Sequence, residues 1–177
     1  MKKRLIFLLP LLLLACRTLF PDKIIEPTPS PTPVATSALE ATAFAPSPDF
    51  TLLRIYPKNG TLQNQLATEA KKASALGQVP FVEFDATWCP PCNNITSILA
   101  DRNPFLMDAY RGVYLIHLDT DEWGWGNPEA GFVLDGIPAF FALTPAGKPT
   151  GTTINGGDWG EDIPEVIGPA LKKFFHP

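Results

Sequence analysis

Val82-Glu83-Phe84-Asp85-Ala86-Thr87-Trp88-Cys89-Pro90-Pro91-Cys92 is the stretch on which the reading of this chain turns. Its first half continues a short apolar run (Phe81, Val82, Phe84) that reads as a strand. The residues after the dithiol read as a helix, with Ile95, Ile98 and Leu99 on one face. Two cysteines three positions apart therefore sit where a strand hands over to a helix. The first turn of a helix carries unpaired N–H groups and partial positive charge, and both favour a thiolate over a thiol. This layout makes a dithiol reactive instead of merely buried.

Working outward, the N-terminus bears on the redox compartment. Lys2, Lys3 and Arg4 precede an apolar run, Leu5 to Leu14, that ends Leu13-Leu14-Ala15-Cys16. About ten apolar residues is too short for a membrane-spanning helix, which needs roughly 20. The run resembles the lipobox of bacterial lipoproteins. That resemblance implies a signal peptide over residues 1–15 and lipidation of Cys16, and places the chain outside the cytoplasm on a membrane. An ordinary secretory signal with an incidental Cys16 is the competing reading. With Cys16 as the anchor, Cys89 and Cys92 are the two remaining thiols, in a setting where disulfides persist. Loss of the three basic residues takes Lys+Arg from 14 to 11 against 18 Asp+Glu, so the net charge of −4 becomes −7. No basic run survives, which argues against nucleic acid as a partner.

Residues 16–49 read as a disordered tether. Pro21, Pro27, Pro29, Pro31, Pro33, Pro46 and Pro48 alternate with Thr, Ser and Ala. Such a stretch buries too little apolar surface to offset its ordering entropy, and its prolines favour extended, semi-stiff conformations. Residues 50–177 are of single-domain size. There the patterning predicts strands at Thr51–Tyr56, Val79–Asp85, Val113–Asp119, Ala139–Leu143 and Thr150–Asn155. It predicts helices over Leu62–Leu76 with Gly77 as the stop, after the dithiol, over Pro104–Tyr110, briefly after Asn127, and over Glu161–Phe175. Asp121–Gly126 reads as a loop, and Pro169 is expected to kink or split the last helix.

Over about residues 60 to 176 the chain resembles the thioredoxin-fold family. The dithiol stretch is close to that family's active-site signature. Gly136-Ile137-Pro138 resembles its second signature, in which a cis proline faces the dithiol. Lipobox and tether make it most similar to the membrane-anchored, extracytoplasmic, TlpA/ResA-like branch. The resemblance implies an α/β fold with a central mixed sheet flanked by helices. It implies a thiol–disulfide oxidoreductase acting on extracytoplasmic protein thiols and disulfides, recharged by a membrane electron donor. The cysteine pair carries the electrons, so no cofactor and no metal are expected. Two residues depart from thioredoxin itself: Pro90 stands in place of Gly, and Glu83 in place of Asp.

The resemblance assigns roles. Cys89, exposed at the helix start, is the attacking nucleophile; Cys92, one turn in, is the buried resolving thiol, and the two form the redox disulfide. A structural disulfide or a zinc site competes with this, although His117 and His176 do not sit at zinc-finger spacing. Glu83, among apolar neighbours, relays a proton to the buried thiol, or else faces solvent. Trp88 flanks the nucleophile and is assigned to substrate binding. The backbone of Ile137, ahead of Pro138, pairs with the substrate chain; otherwise Pro138 is an ordinary turn proline. Because Pro90 and Pro91 have no N–H, they cannot stabilise a Cys89 thiolate, which points toward a reductant and away from a strong oxidant. Trp123, Trp125 and Trp159 form either an aromatic lip for partners or packing for the core. His117, inside an apolar strand, reads as a satisfied core histidine. A thiol peroxidase is disfavoured because no Arg accompanies Thr87. The reading from a different class is a non-catalytic binding module, such as a copper chaperone on the same fold.

Overall fold

Residues 49–177 are described by a computed structural model. The expected signal peptide, the expected lipidation site Cys16 and almost all of the expected tether lie outside these residues. The elements are β1 (Thr51–Arg54), α1 (Leu62–Ala75), β2 (Val79–Asp85), α2 (Pro90–Ala100), α3 (Pro104–Ala109), β3 (Val113–Asp119), α4 (Thr120–Trp123), β4 (Ala139–Leu143), β5 (Pro149–Asn155) and α5 (Pro164–Phe175). The five strands form one mixed sheet in the order β1-β3-β2-β4-β5. β1, β3 and β2 are parallel, and β4 and β5 run antiparallel to their neighbours. This is the α/β thioredoxin fold.

β2 and β3 read as near-continuous apolar runs because both faces of a parallel sheet are covered. One face, bearing Val82, Phe84, Ile116, Leu118 and Phe141, shares a cluster with Leu62, Leu66 and Ala73 of α1. On the other, Leu52, Phe81, Leu115 and Phe140 share a cluster with Ile95 and Leu99 of α2, Leu106 of α3, and Ile167, Leu171 and Phe175 of α5. Phe81, Phe140 and Tyr110 all meet the Phe175 ring edge-on at 4.8–5.9 Å. Such pairs add roughly 0.5–1.5 kcal/mol each beyond area burial.

Local signals place the helix ends. The Thr61 side chain caps α1 by accepting from Asn64 N, and Gly77 adopts φ +68° just past the end, where a left-handed residue is needed. The expected loop and the expected split of the last helix are not observed. The Asp121–Gly126 loop contains a helical turn, α4, because the Asp119 carboxylate accepts from Asp121 N at 2.9 Å and caps it. Pro169 does not split the last helix: α5 is continuous from Pro164 to Phe175, starting later than Glu161. Pro169 and Glu165, the residue whose carbonyl loses its N–H partner, both lie on the exposed side, where water takes over.

α5 lies close on α3 at Gly168, where an added Cβ would sit 2.6 Å from Phe105 Cβ and 3.0 Å from its carbonyl carbon. Helix propensity alone favours alanine there by about 1 kcal/mol. Contact with backbone outweighs that gain. Gly168→Ala is expected to destabilise the protein by about 1–3 kcal/mol, measured by denaturant unfolding. A stabilised variant would show that the two helices separate freely.

Candidate active site at the start of the second helix

β2 ends at Asp85, and four residues later the chain enters α2 through Cys89, which serves as its N-cap. Cys89 and Cys92 are joined in a disulfide. The Cys92 N–H donates to Cys89 Sγ at 3.3 Å. Pro90 and Pro91 occupy the first two helical positions, where proline is well tolerated and where neither supplies a donor to that sulfur. Ile137 packs against both cysteines and Ala86, and the Ile137–Pro138 peptide is cis. The loop is held from its other side by Gly156 N, which donates to Pro138 O at 2.9 Å. A side chain at Gly156 would press on the Pro138 ring, with its Cβ 3.2 Å from Cδ.

The expected exposure of Cys89 is not observed. In the disulfide Cys89 is only 2% exposed, about as buried as Cys92, with Ile137 packed against the pair. Trp88 is the open residue beside the pair, at 57%, with its Nε1–H donating to both Asp121 carboxylate oxygens at 3.0 and 3.2 Å. The other tryptophans do not form a lip together. Trp159 is buried against Phe140 and donates to Asp162, and Trp123 is half-buried and donates to Ile55 O. Trp125 alone of those three is exposed.

Below the dithiol the sheet face changes character. Strand alternation puts Leu52 and Arg54, Phe81, Glu83 and Asp85, and Leu115, His117 and Asp119 on the face that α2 covers. Toward the N-terminal ends of these parallel strands the row is apolar. Toward their C-terminal ends, where sites in such sheets form, it is ionisable. Register brings Arg54 and Glu83 to either side of His117, with Asp85 opposite Asp119. His117 Nδ1 lies 2.9 Å from Asp85 Oδ2 and 3.4 Å from Glu83 Oε2. Arg54 bridges the carboxylates of Asp85 (2.7 Å) and Asp119 (3.2 Å).

Glu83 is buried, and burial pushes its carboxyl up to about 7; the His117 and Arg54 charges oppose that shift and the Asp85 charge adds to it. Burial alone would push His117 down, but the Glu83 charge and the Asp85 hydrogen bond outweigh it and raise it above its ordinary value. Asp85 resists its own burial through hydrogen bonds and charge from His117 and Arg54, and is held below the usual carboxylate range. His117 is therefore more than a satisfied core histidine: Nδ1 is paired, but Nε2 is buried with no partner among the described residues. Asp85, Arg54, Asp119 and this role of His117 escaped the sequence reading. The signal available was polar residues at alternate positions near the ends of apolar strands.

Glu83, Asp85 and His117 each offer a ligand atom within 4.8 Å of the others, a spacing that could hold a metal ion. The Arg54 guanidinium already sits on Asp85 Oδ2, so the set is charge-compensated by the protein. The dithiol is chemically suited to thiol–disulfide exchange. A disulfide can accept two electrons from an attacking thiolate, and a carboxyl that titrates near neutrality can hold or release the accompanying proton.

No family model matches the chain, and no curated protein matches it. Among solved structures it is similar to a thioredoxin from Trichomonas vaginalis, with 23% identity over 70% of this chain and 96% of that one, at TM-score 0.41. A poplar thioredoxin h gives 19% identity over 71% and 97%, at TM-score 0.43. The oxidised thioredoxin from Plasmodium falciparum gives 14% identity over 70% and 96%, at TM-score 0.41.

The burial of Glu83 has a pH signature. Its folded value, about 7, lies above the ordinary 4.5, so the folded state binds its proton more tightly. That contribution is complete below pH 4.5 and is lost as pH rises through 7. Glu83→Gln, which cannot ionise, is expected to exceed the wild type in unfolding free energy at pH 8 by on the order of 3 kcal/mol, with the gap closing by pH 4. A difference independent of pH would show that Glu83 is not desolvated.

Proposed function

We propose that this chain is a thiol–disulfide oxidoreductase, anchored by lipid at Cys16 outside the cytoplasm, that reduces disulfides of extracytoplasmic proteins. The observation that carries the reading is the Cys89–Cys92 disulfide at the N-terminus of α2, facing the cis Ile137–Pro138 loop. In the reduced form the Cys89 thiolate attacks a substrate disulfide. A Cys89–substrate bond forms, the substrate S–S bond breaks, and one substrate sulfur leaves as thiolate and takes up a proton. Cys92 then loses its proton to Glu83 and attacks Cys89 Sγ. The Cys89–Cys92 bond forms as the second substrate sulfur departs. The substrate gains two electrons and the dithiol loses two; a membrane thiol donor restores them.

Three features support the finer points. Ile137 packs against the cysteine pair, which supports a role for its backbone in pairing with an extended substrate segment without regard to sequence. Trp88, held by Asp121, offers an exposed ring at the rim. Cys89 has Cys92 N–H as donor and none from Pro90 or Pro91, so its thiolate gains less stabilisation, consistent with a reductant. The anchor and tether are carried by residues 1–49. Among the described residues no helix is long and apolar enough to cross a membrane.

Cys92→Ser in the full chain, expressed in cells, is expected to freeze mixed disulfides between Cys89 and its partners, seen as thiol-sensitive adducts on non-reducing gels. Cys89→Ser is expected to abolish them, and Glu83→Gln to slow resolution more than the first attack. Recovering no adducts would count against exchange. Stoichiometric copper binding by the reduced protein would favour the copper-chaperone reading instead.

A further inference from the structure

We propose that His117 is a positioning residue for the exchange reaction: clamped by Asp85, it presents a fixed positive charge that lets the buried Glu83 ionise and accept the Cys92 proton. This rests on the proposed exchange activity and adds to it a residue that touches neither substrate nor sulfur.

The geometry is specific. One ring nitrogen, Nδ1, faces both carboxylates, at 2.9 Å from Asp85 and 3.4 Å from Glu83. The shorter contact is the hydrogen bond, so the Nδ1 proton belongs to Asp85. Asp85 cannot swing away, because Arg54 holds the same oxygen from β1 at 2.7 Å. Arg54 is in turn held by Asp119. Nε2 has no protein partner among the described residues, so the ring orientation is set from the Nδ1 side. Glu83 therefore receives charge from His117, not a proton.

Charge counting leads to the same assignment. The groups facing Glu83 and His117 are Arg54 from β1, Asp85 from β2, Asp119 from β3 and the Tyr110 hydroxyl beyond α3, which burial and then the Glu83 charge push well up. α2 brings no charged side chain to this face, and Lys172 and Lys173 of α5 are exposed. Arg54 can neutralise only one of Asp85 and Asp119. A neutral imidazole would leave one negative charge uncompensated before Glu83 ionised, and two afterwards. With His117 protonated, the resting cluster is neutral with Glu83 protonated, and bears a single negative charge when Glu83 is ionised. Buried charge at that density is tolerated only when paired. In the step at issue, the Cys92 S–H bond breaks, its proton passes to a Glu83 oxygen, and the sulfur keeps the electron pair with which it attacks Cys89. Only the ionised carboxylate can take that proton.

The test compares wild type, Glu83→Gln, His117→Gln and His117→Lys in the full chain. The rate of the second, resolving phase is monitored by stopped flow across pH 5–10, with an excess of a small-molecule disulfide. Wild type is expected to rise with a midpoint near the Glu83 value of about 7. Glu83→Gln is expected to lose that rise. His117→Gln, without the charge, should move the midpoint up by about 1–3 pH units, and so slow resolution at pH 7 by roughly fivefold or more. His117→Lys, restoring a cation, should bring it most of the way back. An unmoved midpoint in His117→Gln, or equal midpoints in the two His117 variants, overturns the proposal. NMR of the wild type, with labelled Glu and His, reads the same coupling without a variant. His117 should remain protonated while Glu83 titrates, and a His117 that is neutral below that range also overturns the proposal. A wild type that reduces no disulfide would sink the proposed function instead, and the NMR titration still decides the His117–Glu83 coupling.

Discussion

Five ionisable side chains share one face of the sheet, under the helix that begins at the dithiol. Arg54, Glu83, Asp85, His117 and Asp119 occupy positions that an ordinary α/β core fills with Leu or Val. Placing them out of water is costly unless every charge has a partner, and the pairing consumes nearly all of the local geometry. Arg54 must come from β1 to reach both aspartates, so the edge strand is as necessary to the site as the central ones. His117 must stand level with Glu83, which the β2–β3 register provides. A one-residue slip of β3 would send His117 and Asp119 to the α1 face and leave Glu83 and Asp85 facing apolar neighbours. Register, strand order and charge balance are one constraint here.

The dithiol is presented by the same framework. α2 buries Ile95 and Leu99 over Phe81 and Leu115, which fixes where its first turn falls relative to the ends of β2 and β3. β4 pairs antiparallel with β2, placing Phe140 opposite Glu83 and the preceding Gly136-Ile137-Pro138 loop at the strand ends where Cys89 emerges. β5 then returns alongside β4, and Gly156 braces Pro138 from behind. Sulfur pair, bracing loop and carboxyl thus belong to elements packed on the same sheet.

Much of this was legible because two periodicities speak plainly. Strand and helix patterning located all five strands and the long helices, and the dithiol, Gly136-Ile137-Pro138 and Glu83 stood out as local signatures. Less legible was anything defined by pairing between distant segments. Arg54 is one more residue of the first strand until β1 is known to lie beside β3. His117 reads as core filler until register sets it against Glu83. Asp119 reads as the end of a strand, yet it caps α4 and holds Arg54. The tryptophans left two readings open for a related reason: ring size says nothing about which side of a loop faces the core, and Trp123 and Trp159 turn inward, their N–H groups donating to Ile55 O and Asp162. Cys89 was misjudged because its position at a helix start says nothing of Ile137, which comes from a distant loop to pack against the bonded pair.

The cluster could be mistaken for a metal centre, and the reason it is better described as a charge network lies in Arg54. Two carboxylates and an imidazole within 4.8 Å are a reasonable donor set for a divalent ion. A cation placed among them would have to displace the guanidinium from Asp85 or sit beside it. It would also need His117 as a neutral ligand through a nitrogen that now donates to Asp85. The first change removes a positive charge that Asp85 already uses, and the second removes the hydrogen bond that holds the ring. The protein has in effect built the cation from its own side chains. A side-chain cation differs from an ion in one useful respect: its strength depends on a register and a hydrogen bond, so the proton affinity of Glu83 can be set by the fold instead of by metal supply.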